Sequence, residues 1–402
     1  MELDIAQKVL LSVFFISLIM GAVVNKTNFC TMGAVSDLVN IGDSGRFRSW
    51  LFAIAIALIG VMAFEAMEIL TVDSARPPYR TATFSWARYI VGGIMFGIGM
   101  TLASGCGNKT LVRIGGGNIK SVFVFIVAGL FAYLMTKTDF YGIVFHSWMN
   151  PIAIDFSKYG INSQEITTLI GKAFGFENLI SLRMIIGGLI ALLLLIIAFK
   201  SKDFRGSFDN IFGGAVVGLA VLAGWYVTGA SMGQTWQEEM QFRDQIPLGV
   251  ATQSFTFINP MGETLDYLAH PTKYTFITFG VIAVAGVIFG SFIYSLVTRK
   301  FRIEWFSSRS DFVNHMIGAI LMGIGGVLAM GCTIGQGITG ISTLALGSIM
   351  AFFAIVLGSA LTMKVQYYKM VYESEASFIK ALVTSLVDLR LLPGAMRRLD
   401  AV

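Results

Sequence analysis

The chain alternates between long apolar runs and short polar breaks. Apolar segments fall near 9–24, 49–71, 86–104, 119–136, 182–199, 210–231, 273–297, 312–331 and 344–363. About 20 apolar residues in a helix cross a ~30 Å hydrocarbon core, so each of the nine is a candidate span. The residue-by-residue alternation of a membrane barrel is absent. The pattern predicts an all-α integral membrane protein with about nine transmembrane helices plus short re-entrant helices.

Composition supports this class. Of 402 residues, 55% are hydrophobic and 13% charged, about half the charged share of a soluble domain. The first run leads into "NKTNFC" rather than a small-residue cleavage site, so it is predicted to remain a span. The net charge of +5 is ordinary for a membrane protein, and no basic, aromatic-interleaved segment points to nucleic acid. With the N-terminus outside and the C-terminus inside, 19 of the 29 Lys and Arg residues fall on the inner side. The clusters at 200–205 and 299–309 lie close to span ends, where positive charge marks the cytoplasmic face.

The chain also repeats itself. "GGIMFGIGMTLASGC" (92–106) matches "GAILMGIGGVLAMGC" (318–332). Gly92 aligns with Gly318, Gly97 with Gly323, Gly99 with Gly325, Ala103 with Ala329, and Gly105-Cys106 with Gly331-Cys332. A weaker echo sets "TNFCTMG" (27–33) against "QSFTFINPMG" (253–262), with Thr256 at the place of Cys30. Four spans lie on each side of 182–199, and one separating span turns the second repeat upside down. Such inverted repeats place substrate near the midplane. The expected division is 1–137 for the first repeat and 138–209 for an external segment and connecting helix. The second, inverted repeat then covers 210–364, and 365–402 forms a cytoplasmic amphipathic tail. Glycines four apart, such as Gly93 and Gly97, let helix backbones approach closely. The stretches 107–117 and 333–343 are too short and glycine-rich to span. They must be buried or line a cavity.

The chemistry concentrates at these turns. Cys30, Cys106 and Cys332 are the three cysteines. An odd number without C-x-x-C argues against a disulfide framework or a redox pair. A neutral thiol is a weak, soft donor. It can contact a soft, sulfur-bearing anion without trapping it, as conduction requires. Gly105 and Gly331 are expected to let the backbone approach a bound group or take an unusual conformation. Helices beginning at Gly107 and Thr333 would aim free N–H groups at an anion. Lys109 and Arg113 would draw it toward the inner vestibule. Glu65, Glu68 and His315 lie near span ends, and no central carboxylate marks a proton pump. No cofactor, metal or catalytic residue is implied, so the expectation is a transporter and not an enzyme. A second reading is a soft-metal transporter, with Met32, Met100 and Met330 beside the cysteines. A third is a thiol redox enzyme, disfavoured by the absence of C-x-x-C and of haem-ligand patterns.

The stretches "SGCGNKTLVRIGGGNIKS" (104–121), "GCTIGQGITG" (331–340) and "TNFCTMGAVSD" (27–37) resemble the signatures of the YeeE/YedE family of bacterial inner-membrane transporters. The resemblance covers about 8–137 and 210–364. It implies thiosulfate uptake as a sulfur source, with Cys30, Cys106 and Cys332 touching the substrate in turn along a central constriction. It also implies a cytoplasmic sulfur-carrier protein of TusA type as partner. The charge bias puts the N-terminus on the periplasmic side and the C-terminus on the cytoplasmic side. Some members are linked to selenium or to other sulfur compounds, which keeps those substrates as alternatives. The segment 138–181 matches no motif of the family.

Overall fold

A computed structural model describes residues 3–243, 247–373 and 375–400. Its first helices are α1 (Ile5–Thr27), α2 (Thr31–Ser36), α3 (Gly45–Ala66), α4 (Trp86–Leu102), α5 (Gly107–Gly115) and α6 (Ile119–Lys137). Short helices α7 (Ser147–Met149) and α8 (Ile166–Phe174) precede the long α9 (Leu179–Lys200). Then come α10 (Lys202–Gly206), α11 (Phe208–Gly229), α12 (Ser231–Gln241), α13 (Ile258–Ala269), α14 (Phe279–Val297) and α15 (Arg309–Leu328). A π-helical turn, Gly335–Gly340, leads through Ile341–Thr343 to α16 (Leu346–Val371) and α17 (Phe378–Asp388). Among the described residues the one sheet is a two-stranded pairing of β1 (Thr83–Phe84) with β2 (Ile154–Asp155). Nine described helices are long and apolar enough to cross a membrane. They fall on the nine predicted segments, and the protein is an all-α integral membrane protein.

Local sequence sets the helix starts. Asp4 and Gln7 form a capping box at α1, Asn118 caps α6, and Thr278 caps α14. Each satisfies amides that the first turn leaves free.

The repeat glycines lie where two helices touch. A Cβ on Gly92 would come within 2.6 Å of the Ala329 amide nitrogen, and one on Gly99 within 2.6 Å of the Gly318 carbonyl. Gly325 in turn abuts the Gly92 carbonyl, and Gly318 that of Gly99. Adding the 226-residue repeat offset to one partner and subtracting it from the other converts the Gly92–Gly325 contact into the Gly318–Gly99 contact. α4 and α15 run antiparallel, since the early glycine of one meets the late glycine of the other. A two-fold axis relating them is therefore perpendicular to both helices, which is the geometry of inverted repeats. The remaining packing obeys the same exchange. α1 packs on α14 as α11 packs on α3, and α4 packs on α16 as α15 packs on α6. The half-length helices α2 and α13 correspond, resting on α16 and α6 respectively.

Two regions differ from the sequence expectation. α16 runs on to Val371, past the predicted boundary at 364. α17 does follow, but it buries Ala381, Thr384 and Ser385 and packs against α16. The segment 138–181 does contain short helices, and it is also anchored in the core. Fully buried Gln164 bonds to the Tyr89 hydroxyl at 3.0 Å and to the Gly347 amide at 3.1 Å.

Beside it lies a buried ion network. Arg80 forks onto Glu65 at 2.6 and 3.0 Å, and Arg183 forks onto Glu165 at 2.6 and 2.8 Å. Arg80 also reaches Asp73 at 2.9 Å and Glu165 at 3.5 Å. Its Nε donates to the Thr343 carbonyl at 2.9 Å, at the far end of the 333–343 helix. Burial alone pushes the Glu165 carboxyl up. The Arg183 hydrogen bond and the Arg80 charge outweigh it and hold Glu165 below its ordinary value.

Candidate functional site

Cys30 is the N-cap of α2 and Cys106 the N-cap of α5, both with extended backbone. Cys332 stands in the same relation to the 333–343 helix. Each cysteine carbonyl accepts the first helical hydrogen bond, from Ala34, Thr110 and Gln336 at 2.9, 2.9 and 2.8 Å. The Cys332 sulfur faces back to accept from the Gly335 amide at 3.5 Å. The second repeat supplies a fourth such start at α13, capped by Phe257.

The four helix starts meet. A Cβ on Gly107 would lie 3.1 Å from the Ile258 side chain and 3.5 Å from that of Phe257. A Cβ on Gly335 would strike Thr256. The Cys30 and Cys106 thiols are direct neighbours, and Cys106 also neighbours the Thr333 hydroxyl. Cys332 lies beside Thr256. A Cys30–Cys106 pair in one half thus mirrors Thr256–Cys332 in the other, as the weak sequence echo predicted. The free amides at helix starts carry a partial positive charge. Four of them converge here, and Lys109, in the first turn of α5, adds a charge on the Cys30 side. Such a junction attracts an anion and still lets it leave.

The three thiols are closed off, at 5%, 1% and 0% exposure for Cys30, Cys106 and Cys332. On one side lies a cavity of about 520 Å³ that reaches Cys30 and Ser104. Its wall carries Arg46, Lys109, Arg113, Lys300 and Arg302 against Glu304. On the other side a cavity of about 610 Å³ reaches Thr256, Met330 and Gly331, with Arg76, Lys137, Asp73, Glu263 and Asp266 in its wall. The start of α6 borders the first cavity and its end borders the second. Nineteen residues at about 1.5 Å each put roughly 28 Å between those ends. The cavities therefore open on opposite faces, with the thiols between.

Lys109 and Arg113 both line the basic cavity. The Lys109 ammonium donates to Asn28 Oδ1 at 3.0 Å. Arg46, Lys300 and Arg302 join them, although in sequence they register only as inner-loop charge.

The glycine expectation needs correction. Positive φ falls on Ser104 (58°) and Met330 (59°), not on Gly105 or Gly331. Gly105 N donates to Met100 O and Ser104 N to Thr101 O, at 2.8 and 3.2 Å. Gly331 and Met330 repeat the pair on Gly326 and Val327, at 2.8 and 3.1 Å. These paired bonds close α4 and α15 with a Schellman turn, whose left-handed residue is the one before the glycine. Space is what the glycines supply. A Cβ at 331 would press on the Gly335 backbone at 3.2 Å, whereas one at 105 would press on the Lys109 side chain at 3.2 Å. Lys109 can swing into the cavity, but the Gly335 backbone cannot. Gly331→Ala should therefore cost about 1–3 kcal/mol by overpacking, and Gly105→Ala clearly less. Thermal unfolding of the two purified variants checks this order; equal losses would contradict it.

Sequence reasoning missed a further feature. Among the described residues eight buried polar side-chain atoms have no nitrogen or oxygen hydrogen-bond partner, and five flank the thiols: those of Thr31, Asn108, Thr256, Thr333 and Gln336. An unpaired buried polar group costs about 1–3 kcal/mol, so such a cluster at one place calls for a reason beyond packing.

Comparison with known proteins identifies the family. The thiosulfate transporter TsuA of Escherichia coli (strain K12) is 25% identical over 342 residues, 80% of this chain and 84% of that protein. The thiosulfate transporter TsuA of Spirochaeta thermophila is 25% identical over 356 residues, 86% of this chain and 95% of that protein. The profile described as sulphur transport matches residues 26–361, a stretch that holds all three thiols. The chain belongs to that sulphur-transport family, YeeE/YedE, and is a transporter of small sulfur anions.

Proposed function

We propose that the chain carries thiosulfate inward across a bacterial inner membrane through the constriction at Cys30, Cys106 and Cys332. The observation that carries this reading is the junction of four helix starts, three of them with a cysteine at the N-cap position, between two opposed cavities. The amides offer partial charge for the anion as a whole, and the thiols offer soft contacts for its terminal sulfur. Gly105, Gly107 and Gly331 keep room for it, Thr333 adds a hydroxyl, and Lys109 receives it on the far side. The basic cavity faces the cytoplasm in this reading, with the N-terminus periplasmic, in keeping with the bias of Lys and Arg. The two repeats, 1–137 and 210–364, act as the halves of the constriction.

A dianion entering against 100 mV faces about 4.6 kcal/mol, twice the cost per charge. Inward flow then needs a consumer that keeps the internal concentration low. A sulfur carrier of TusA type, docking at the basic mouth, would serve. Sulfur-limited growth tests the reading. Cells relying on this chain should grow on thiosulfate as sole sulfur source and stop growing when it is deleted. Unchanged growth after deletion, in a host without another route, would sink the proposal.

A further inference from the structure

Thr256 is the one member of the mirrored thiol pairs that is not a cysteine. It lines the 610 Å³ cavity, and it sits immediately before the α13 cap and beside Cys332. Its hydroxyl is buried and has no nitrogen or oxygen partner among the described residues; the thiol of Cys332 is its one polar neighbour. The Thr333 hydroxyl and the Gln336 Oε1, on residues fully buried nearby, are unpartnered as well. A hydroxyl that faces only a thiol, a weak acceptor, keeps its donor for a stronger acceptor arriving at the inner end of the cavity.

We propose that Thr256 makes the first direct contact with the anion: its hydroxyl donates to an oxygen of the incoming sulfur oxyanion while Cys332 meets the soft sulfur. The proposal rests on the reading of the chain as a sulfur-anion carrier and adds the group that strips the anion of water. The two donors match the two ends of a thiosulfate-like ion. A hydroxyl suits the charge-rich oxygens and a thiol suits the polarisable sulfur. The mirrored position, Cys30, faces the basic cavity, where lysine and arginine already serve the oxygens. That asymmetry accounts for a hydroxyl on one side and a thiol on the other.

Valine matches threonine in shape, so the two possible roles predict opposite results. If Thr256 merely packs, Thr256→Val removes an unpaired buried hydroxyl and leaves stability unchanged or raised, with uptake intact. If it donates to the anion, Thr256→Val keeps or gains stability and loses roughly tenfold or more in uptake at limiting thiosulfate, the worth of one hydrogen bond to a charged group. The loss should appear as a raised half-saturating concentration, because the contact precedes the narrowest point. Thr256→Ser, which keeps the hydroxyl, should restore uptake to near the wild-type level. Labelled-thiosulfate uptake into vesicles and thermal unfolding are measured on both variants, with Cys332→Ala in parallel. Normal half-saturation in Thr256→Val overturns the proposal. If Cys332→Ala is inactive in the same experiment, only the Thr256 contact fails; if Cys332→Ala also transports normally, the thiol path itself fails.

Discussion

Cys106→Ala and Cys332→Ala should each remove most thiosulfate uptake, at least about tenfold, which requires only about 1.4 kcal/mol of lost stabilisation at the barrier. The two cysteines cap the two helices that enter from opposite repeats, and both are buried between the cavities. On the proposed path the anion passes both, so neither half can stand in for the other. Serine is similar in size but offers a harder, more hydrated partner, so Cys106→Ser and Cys332→Ser should not fully restore uptake. Cys30 borders the basic cavity, with Arg46, Lys109 and Arg113 close by. These charges can hold the anion when the thiol is lost, so Cys30→Ala should cost less. If the cysteines only fill space, all the variants would lose modest stability and none would lose uptake per inserted molecule.

Arg80→Leu should produce the largest loss of stability among single changes outside the constriction. The Arg80 side chain is 1% exposed and joins Glu65, Asp73 and Glu165. Removing one partner of a buried ion pair costs about 3–5 kcal/mol, because the charge left behind stays buried. Arg183 still reaches Glu65 and Glu165, at 3.2 and 2.6 Å, but it cannot also cap the Thr343 carbonyl. The 333–343 helix would lose its tether at Thr343, so uptake should fall along with the melting temperature. Arg80→Lys should recover only part of the loss, since a point charge cannot fork onto Glu65 and reach Thr343 together. A melting temperature within a degree or two of wild type in Arg80→Leu would contradict the network's role.

The long periodicities were the legible part of this molecule. Nine apolar runs gave nine helices, and the glycine match between 92–106 and 318–332 marked the contact between α4 and α15. The cysteines stood out because each ends an apolar run beside small residues. Other features rest on contacts that no local pattern carries. α13 is a half-helix of mixed polarity, so only its weak echo of 27–33 hinted that it mirrors α2. The left-handed residues Ser104 and Met330 were hidden because a Schellman turn tolerates a side chain where glycine would be the first guess. The Arg80 network draws Glu65, Asp73, Glu165 and Arg183 from separate segments. In sequence these are scattered charges near span ends. The unpartnered hydroxyls of Thr256 and Thr333 become visible only when the helix starts are brought together.

The most direct test of the account is uptake of labelled thiosulfate into vesicles holding the purified chain alone, normalised to inserted protein. The account predicts saturable uptake by the wild type, well above empty vesicles and poorly inhibited by sulfate, with little uptake by Cys106→Ala or Cys332→Ala. Wild-type rates in both variants, from protein that inserts and melts normally, would contradict the thiol path.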